Sequence, residues 1–104
     1  MSRFKLHESV IEDLDGIWGY VAGEASPEVA SKLEDEFFDA FELLSTQPHI
    51  GFQGSFLRLR SLRFWVIREY LIAYAPHHDP LLILAVLHGK HHPRTISRIL
   101  SDRR

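Results

Sequence analysis

The chain has 104 residues, with 12 Lys and Arg against 14 Asp and Glu and no cysteine. One domain over residues 1–104 is expected, since a chain of this length buries roughly two-thirds of its unfolded surface without covalent staples. The missing cysteines exclude disulfides, thiolate nucleophiles and cysteine-based zinc sites.

The net charge of -2 conceals an asymmetry: residues 1–50 hold three cations and eleven anions, whereas residues 51–104 hold nine cations and three anions. A uniformly basic nucleic-acid binder is excluded, but a basic face is not. The N-terminus is polar rather than an apolar signal core, and the longest apolar run, Leu81–Leu87, falls far short of the ~20 residues of a membrane helix. A cytoplasmic protein without membrane contact is expected.

Phe4 and Leu6 alternate with Arg3, Lys5 and His7, the pattern of a short strand with one buried face. Ser9 and Glu12 have the spacing of a capping box, in which each side chain satisfies a backbone donor at a helix start. Val10, Leu14, Ile17, Trp18 and Val21 then form one apolar stripe of a helix that Gly23 is expected to stop. Ser26 and Pro27 restart a helix as cap and first residue. Its stripe is Val29, Leu33, Phe37, Ala40, Phe41 and Leu44, and Pro48 ends it. Two helices joined by so few residues pack as an antiparallel hairpin.

Gly51 and Gly54 mark a loop, after which Phe56–Arg60 alternates in part. Phe64–Arg68 and Tyr70–Ala75 are rich in the aromatic and branched residues that suit strands. His77–Pro80 reads as a turn, and Leu81–His88 as a central strand buried on both faces. Gly89 breaks it, and Pro93 opens a short helix with Ile96, Ile99 and Leu100 on one side. The expected class is α+β: an N-terminal strand, an antiparallel helical hairpin, a three-stranded antiparallel meander and a short C-terminal helix.

Few catalytic constellations survive inspection. His88, His91 and His92, with His77 and His78 as a second pair, would make a zinc site only if both groups met, and no zinc-hydrolase motif accompanies them. No serine elbow and no glycine-rich phosphate cradle is present. The acidic residues of the hairpin read as the solvated faces of two helices. Arg58, Arg60, Arg63 and Arg68 interleave with Phe52, Phe56, Phe64 and Trp65. That composition suits RNA stacking, an apolar groove with a basic rim for an acidic peptide, or a plain sheet with arginines in water. The run His88–Arg94 leaves a buried strand, where a histidine could serve as a base and Lys90 or Arg94 could hold a phosphate; equally, it could be a basic loop that caps the domain.

Taken in order, several segments resemble the ParE/RelE superfamily of type II toxin–antitoxin toxins, and its ParE branch most closely. Ser9–Trp18 is similar to the family's S-x-x-A-x-x-D-L-x-x-I-W helix. Pro48–Gly51 and Leu59–Leu62 follow in place, Tyr70–Tyr74 resembles its Y-L-I-x-Y strand, and Val86–His91 its V-L-H-G-x-R close. The similarity spans about residues 4–100 and implies the RelE/ParE-like fold, no cofactor and no metal. It also implies a plasmid-stabilisation type of toxin from a bacterium, neutralised by a cognate antitoxin, with DNA gyrase as the target.

On that resemblance, the antitoxin would cover an apolar groove between hairpin and sheet, at Leu14, Trp18, Phe37, Phe41, Phe64 and Trp65. The target would meet Arg60, Arg63, His88, Lys90 and Arg94, without catalysis. The alternative within the superfamily is a ribosome-dependent mRNA endoribonuclease using Arg60, Arg68, His88 and His91, and a third reading is a non-toxic binding module. Two departures bear against the nuclease: Leu71 stands where the family's catalytic arginine is expected, and the only tyrosines are Tyr20, Tyr70 and Tyr74, so the C-terminal tyrosine is missing. Ile11 replaces a frequent alanine, and His91 a frequent arginine.

Overall fold

A computed structural model of the protein describes residues 3–54 and 59–104. The elements run β1 (Phe4–Leu6), α1 (Glu8–Glu24), α2 (Pro27–Thr46), β2 (Phe52–Gln53), β3 (Arg63–Ile67), β4 (Tyr70–Ala75), β5 (Leu81–His88) and α3 (Pro93–Arg103). The expected α+β class and its order of elements are borne out. The strands form one sheet in the order β1-β5-β4-β3-β2, within which β3, β4 and β5 make the antiparallel meander. Strand β1 lies parallel to β5, with Phe4 opposite Leu81 and Leu6 opposite Ile83. The two-residue β2 fell in a segment expected to be a loop. Of the partly alternating stretch Phe56–Arg60, residues 56–58 lie outside the described residues.

Helix α1 begins two residues earlier than the capping box implies. His7 is its cap, and the His7 Nδ1 accepts from the Ser9 amide at 3.1 Å. The chain is fixed there because the His7 amide also donates to the Ile83 carbonyl at 2.8 Å, which continues the β1 ladder into the helix start. Gly23 does not stop the helix, which runs to Glu24. The second cap is as expected: the Ser26 hydroxyl accepts from the Val29 amide at 3.2 Å, and Pro27 opens α2. Tyr74 ties the end of α2 to the sheet, its hydroxyl accepting from the Gly51 amide at 2.9 Å and donating to the Pro48 carbonyl at 2.8 Å.

Strand geometry divides the core in two. Tyr70, Ile72 and Tyr74 face the hairpin with Val10, Leu14, Leu33, Phe37, Phe41 and Leu44, while Leu71, Ala73 and Ala75 face α3 with Phe64, Ile96 and Leu100. In β5 the register shifts: Ala73 pairs with Ala85 but Tyr74 pairs with Ile83, so Leu84 is an extra residue. Such a bulge turns Leu84 and Ala85 to the same α3-facing core. As expected, β5 is buried along most of its length.

Candidate functional site

The polar residues gather where the β3–β4 turn, the end of β5 and the start of α3 meet. The turn consists of Arg68 and Glu69 between the paired Ile67 and Tyr70. Arg68 adopts φ 55, the left-handed region that ordinarily favours glycine. Its guanidinium is turned onto α2, donating from Nε to Glu36 Oε1 at 3.0 Å and from NH2 to Glu36 Oε2 at 2.7 Å. The Arg68 hydrogen bond holds the Glu36 carboxyl below the usual carboxylate value. On the other side of the turn, the Gly89 amide donates to the Glu69 carbonyl at 2.7 Å, and a side chain at Gly89 would stand 3.2 Å from that oxygen.

His88 ends β5 with its ring edge-on to Tyr70, the centroids 5.3 Å apart. Its Nδ1 accepts from the Lys90 amide at 3.1 Å, which leaves Nε2 to carry the ring proton, 3.9 Å from Glu69 Oε2. Burial pushes the Tyr70 phenol above its ordinary value, and the neighbouring Glu69 and Tyr20 add to this. His92 repeats the local device, its Nδ1 accepting from the Arg94 amide at 3.0 Å as the cap of α3. Lys90, His91 and Arg94 project into solvent.

Three depressions surround this point. One of about 510 Å³ lies between α3 and β3 and includes Val66, Leu71, Lys90, His91 and Ile96. Another of about 420 Å³ opens between the helices at Tyr20, Val29, Leu33 and the Arg68–Glu36 pair. A third of about 370 Å³ runs between α1 and β5, along Gly16, Tyr20, Val86 and His88. Tyr70 borders all three.

The site residues expected from the sequence do not form one surface. Leu14, Phe37, Phe41 and Phe64 are buried in the core and present nothing to a partner. Moreover, Phe64 faces α3 while its neighbour Trp65 faces the hairpin, because successive strand residues point to opposite sides. Leu14, Phe37 and Phe41 therefore belong to the packing of the hairpin on the sheet, and Phe64 to that of α3. Trp18 and Trp65 are half-buried, and the Trp18 Nε1 donates to Ser31 Oγ at 3.2 Å, joining α1 to α2.

The basic residues divide as well. Arg63 is half-buried and its NH1 donates to the His49 carbonyl at 3.2 Å and the Gly51 carbonyl at 2.7 Å, so it holds the loop before β2. Arg60 is exposed in the turn ahead of β3. Arg63 pairs with Tyr74, and His88 with Tyr70, four residues along β4. That places Arg60 at the opposite end of the sheet from His88 and His91, by roughly 13 Å or more at ~3.4 Å per residue. His77 and His78 likewise precede β5 while His88 ends it, so the two histidine groups do not meet. Among the described residues, no group of three or more His, Asp or Glu side chains could hold a metal ion.

One linkage was missed from the sequence. Asp13 Oδ2 accepts from Arg103 NH1 at 2.6 Å and from the Val86 amide at 3.0 Å, Oδ1 accepts from Arg103 NH2 at 2.9 Å, and NH1 also reaches the Leu84 carbonyl at 3.0 Å. This ion pair occupies the edge of β5 beyond the end of β1. A signal was available, since Asp13 sits three residues after Val10 and four before Ile17, within the buried stripe of α1.

Residues 4–93 match the family model described as ParE toxin of type II toxin-antitoxin system, parDE. No curated protein matches the sequence.

Proposed function

The chain belongs to the ParE toxin family of type II toxin–antitoxin systems, and on that premise we propose that it arrests growth by holding a target protein, DNA gyrase, without catalysing a reaction. The observation that carries this reading is the separation of the cationic and imidazole groups. A phosphodiester cleavage site requires its base, acid and charge-stabilising groups around one reacting atom. Arg60 stands at the far end of the sheet from His88, and Arg68 is spent on Glu36. What lies near His88 and His91 is an exposed basic patch that also contains Lys90 and Arg94. Such a patch suits contact with a macromolecule better than bond cleavage.

The target contacts are accordingly His88, Lys90 and Arg94, with Arg60 a peripheral cation and Arg63 a structural one. The protein acts in the cytoplasm, where gyrase is. Two assays test the reading. Purified chain added to gyrase is expected to inhibit supercoiling or to accumulate cleavage complexes; full supercoiling activity at saturating folded chain would remove gyrase as the target. After induction in cells, primer extension on mRNA is expected to show no codon-positioned cuts, and ribosome-dependent cuts would establish the endoribonuclease instead.

A further inference from the structure

The sheet separates two sides of opposite charge. The hairpin on one side carries eleven carboxylates against a single cation, Lys32. Asp13 and Glu36 have ion-pair partners, and the other nine have none among the described residues.

Helix α3, on the other side, is built the opposite way. It seats Ile96 and Leu100 in the core with Leu59 and Leu62, and presents Arg94 and Arg98, one turn apart, to solvent. Lys90 is exposed in the turn that leads into it. At its far end the Arg104 guanidinium donates to Ser61 Oγ at 2.8 Å, which holds the turn bearing the exposed Arg60 beside the helix. Lys90, Arg94, Arg98 and Arg60 therefore follow α3 from end to end, and none of the four has an ion-pair partner among the described residues. Asp102 is the one carboxylate on the helix. Strand β3 extends this side of the sheet past α3, where Val66, paired with Leu71, stays 53% exposed.

The length and chemistry of this row select its occupant. The 11 residues of α3 extend about 16 Å, over which one strand of duplex DNA presents about five phosphates at ~3.4 Å of axis each. A protein partner requires apolar or aromatic anchors among the charges. The row offers none, because α3 has no aromatic residue, Ile96 and Leu100 are turned inward, and Val66 lies off it on β3. Single-stranded nucleic acid likewise needs exposed rings on which its bases stack. The acidic hairpin is repelled by a polyanion, which determines the side that approaches.

We propose that the α3 side of the protein lies along the phosphate backbone of duplex DNA, with Lys90, Arg94, Arg98 and Arg60 each meeting a phosphate and no base being read. This deepens the reading above by assigning part of the target contact to the DNA that gyrase holds. Bare duplex is enough to test it, so the two can fail separately.

The chain is titrated into a labelled duplex of mixed sequence, longer than α3, and binding is read by fluorescence anisotropy. Four neutralised phosphates give log Kd a slope of about 3.6 against log salt, so Kd is expected to rise roughly a hundredfold between 50 mM and 200 mM salt. The double variant Arg94→Gln with Arg98→Gln should halve the slope and weaken binding at least tenfold at the lower salt. Asp102→Asn should tighten binding, and Lys32→Gln on the hairpin should leave the slope unchanged. All four positions are exposed, so the variants are expected to keep the wild-type thermal midpoint. Should the double variant lower it, Lys90→Gln replaces that variant, with a slope reduced by about 0.9.

No binding at the lower salt, a Kd that ignores salt, or an unchanged slope in the double variant overturns the proposal. A polyglutamate peptide bound as tightly as the duplex overturns it in favour of an acidic protein. Self-association that the double variant abolishes, with no duplex bound, overturns it in favour of a second copy whose acidic hairpin meets this row. Supercoiling is read separately. A chain that binds duplex as expected but leaves gyrase fully active removes the proposed target and leaves this surface standing.

Discussion

Replacing Asp13 by alanine removes one half of the ion pair that joins α1, β5 and α3. The Asp13 and Arg103 side chains are only 10% and 14% exposed, so water does little to compensate for the loss. Alanine leaves the Arg103 guanidinium without its carboxylate and the Val86 amide without its acceptor. Breaking a buried pair from one side costs about 3–5 kcal/mol, a figure that already contains most of the orphaned amide's ~1–3 kcal/mol. For a domain of this size each kcal/mol moves the thermal midpoint by about 4 °C. A fall of roughly 12–20 °C is therefore expected.

Thermal and urea unfolding followed by circular dichroism measures this directly, and a double-mutant cycle isolates the pair. Asp13→Ala with Arg103→Met should cost clearly less than the sum of the single changes, because no unpaired charge then remains buried. Asp13→Ala costing under about 1 kcal/mol, or additive single changes, would refute the assignment of this pair as the clamp between the helices and the sheet edge.

Three further outcomes follow from other contacts. Tyr74→Phe is expected to lower stability by about 1–3 kcal/mol in urea unfolding, since the Gly51 amide loses its hydroxyl acceptor in a buried setting; a neutral change would mean that the α2–sheet tie carries no energy. Glu36 has a folded-state pKa lowered by Arg68, so the pair stabilises above the unfolded carboxylate value and loses that contribution as pH falls through the folded one. The thermal midpoint of the wild type should accordingly exceed that of Glu36→Gln at pH 7, and the gap should close towards pH 3; a gap that widens on acidification would contradict the sign. Finally, His7, His88 and His92 all accept a backbone hydrogen bond at Nδ1. Long-range ¹⁵N–¹H spectra at neutral pH should find their protons on Nε2, and Nδ1–H tautomers would disprove the three caps.

Much of the scaffold was legible because its signals are local. The stripes of α1 and α2 come from spacing, Ser26 and Pro27 from capping chemistry, and β4 and β5 from uninterrupted apolar runs. What escaped depends on contacts between distant segments. The capping box at Ser9 was overridden by His7, which is pinned to Ile83 in β5. The parallel placement of β1 depends on three residue pairs and leaves no local trace. The burial of Leu14, Phe37, Phe41 and Phe64, expected in a docking groove, was hidden for a different reason: an apolar stripe is written the same way whether it faces a partner or the protein's own core. Strand alternation alone would have separated Phe64 from Trp65, and ignoring it joined two side chains that never share a surface. Val66, by contrast, is one apolar residue among several in β3, and only the extent of α3 determines that it stays uncovered.

The clamp at Asp13 also orders events in time. The hairpin α1–α2 is made of local contacts and can form while the chain is still growing, but β1 waits for residues 81–83 and Asp13 waits for a partner 90 positions away. Closing such loops is the entropically slow part of folding. Until it happens the inner faces of both helices stay exposed, and the basic patch at the end of β5 has no fixed shape. The end of β5 therefore takes its final place only after the segment bearing Arg103 has been synthesised.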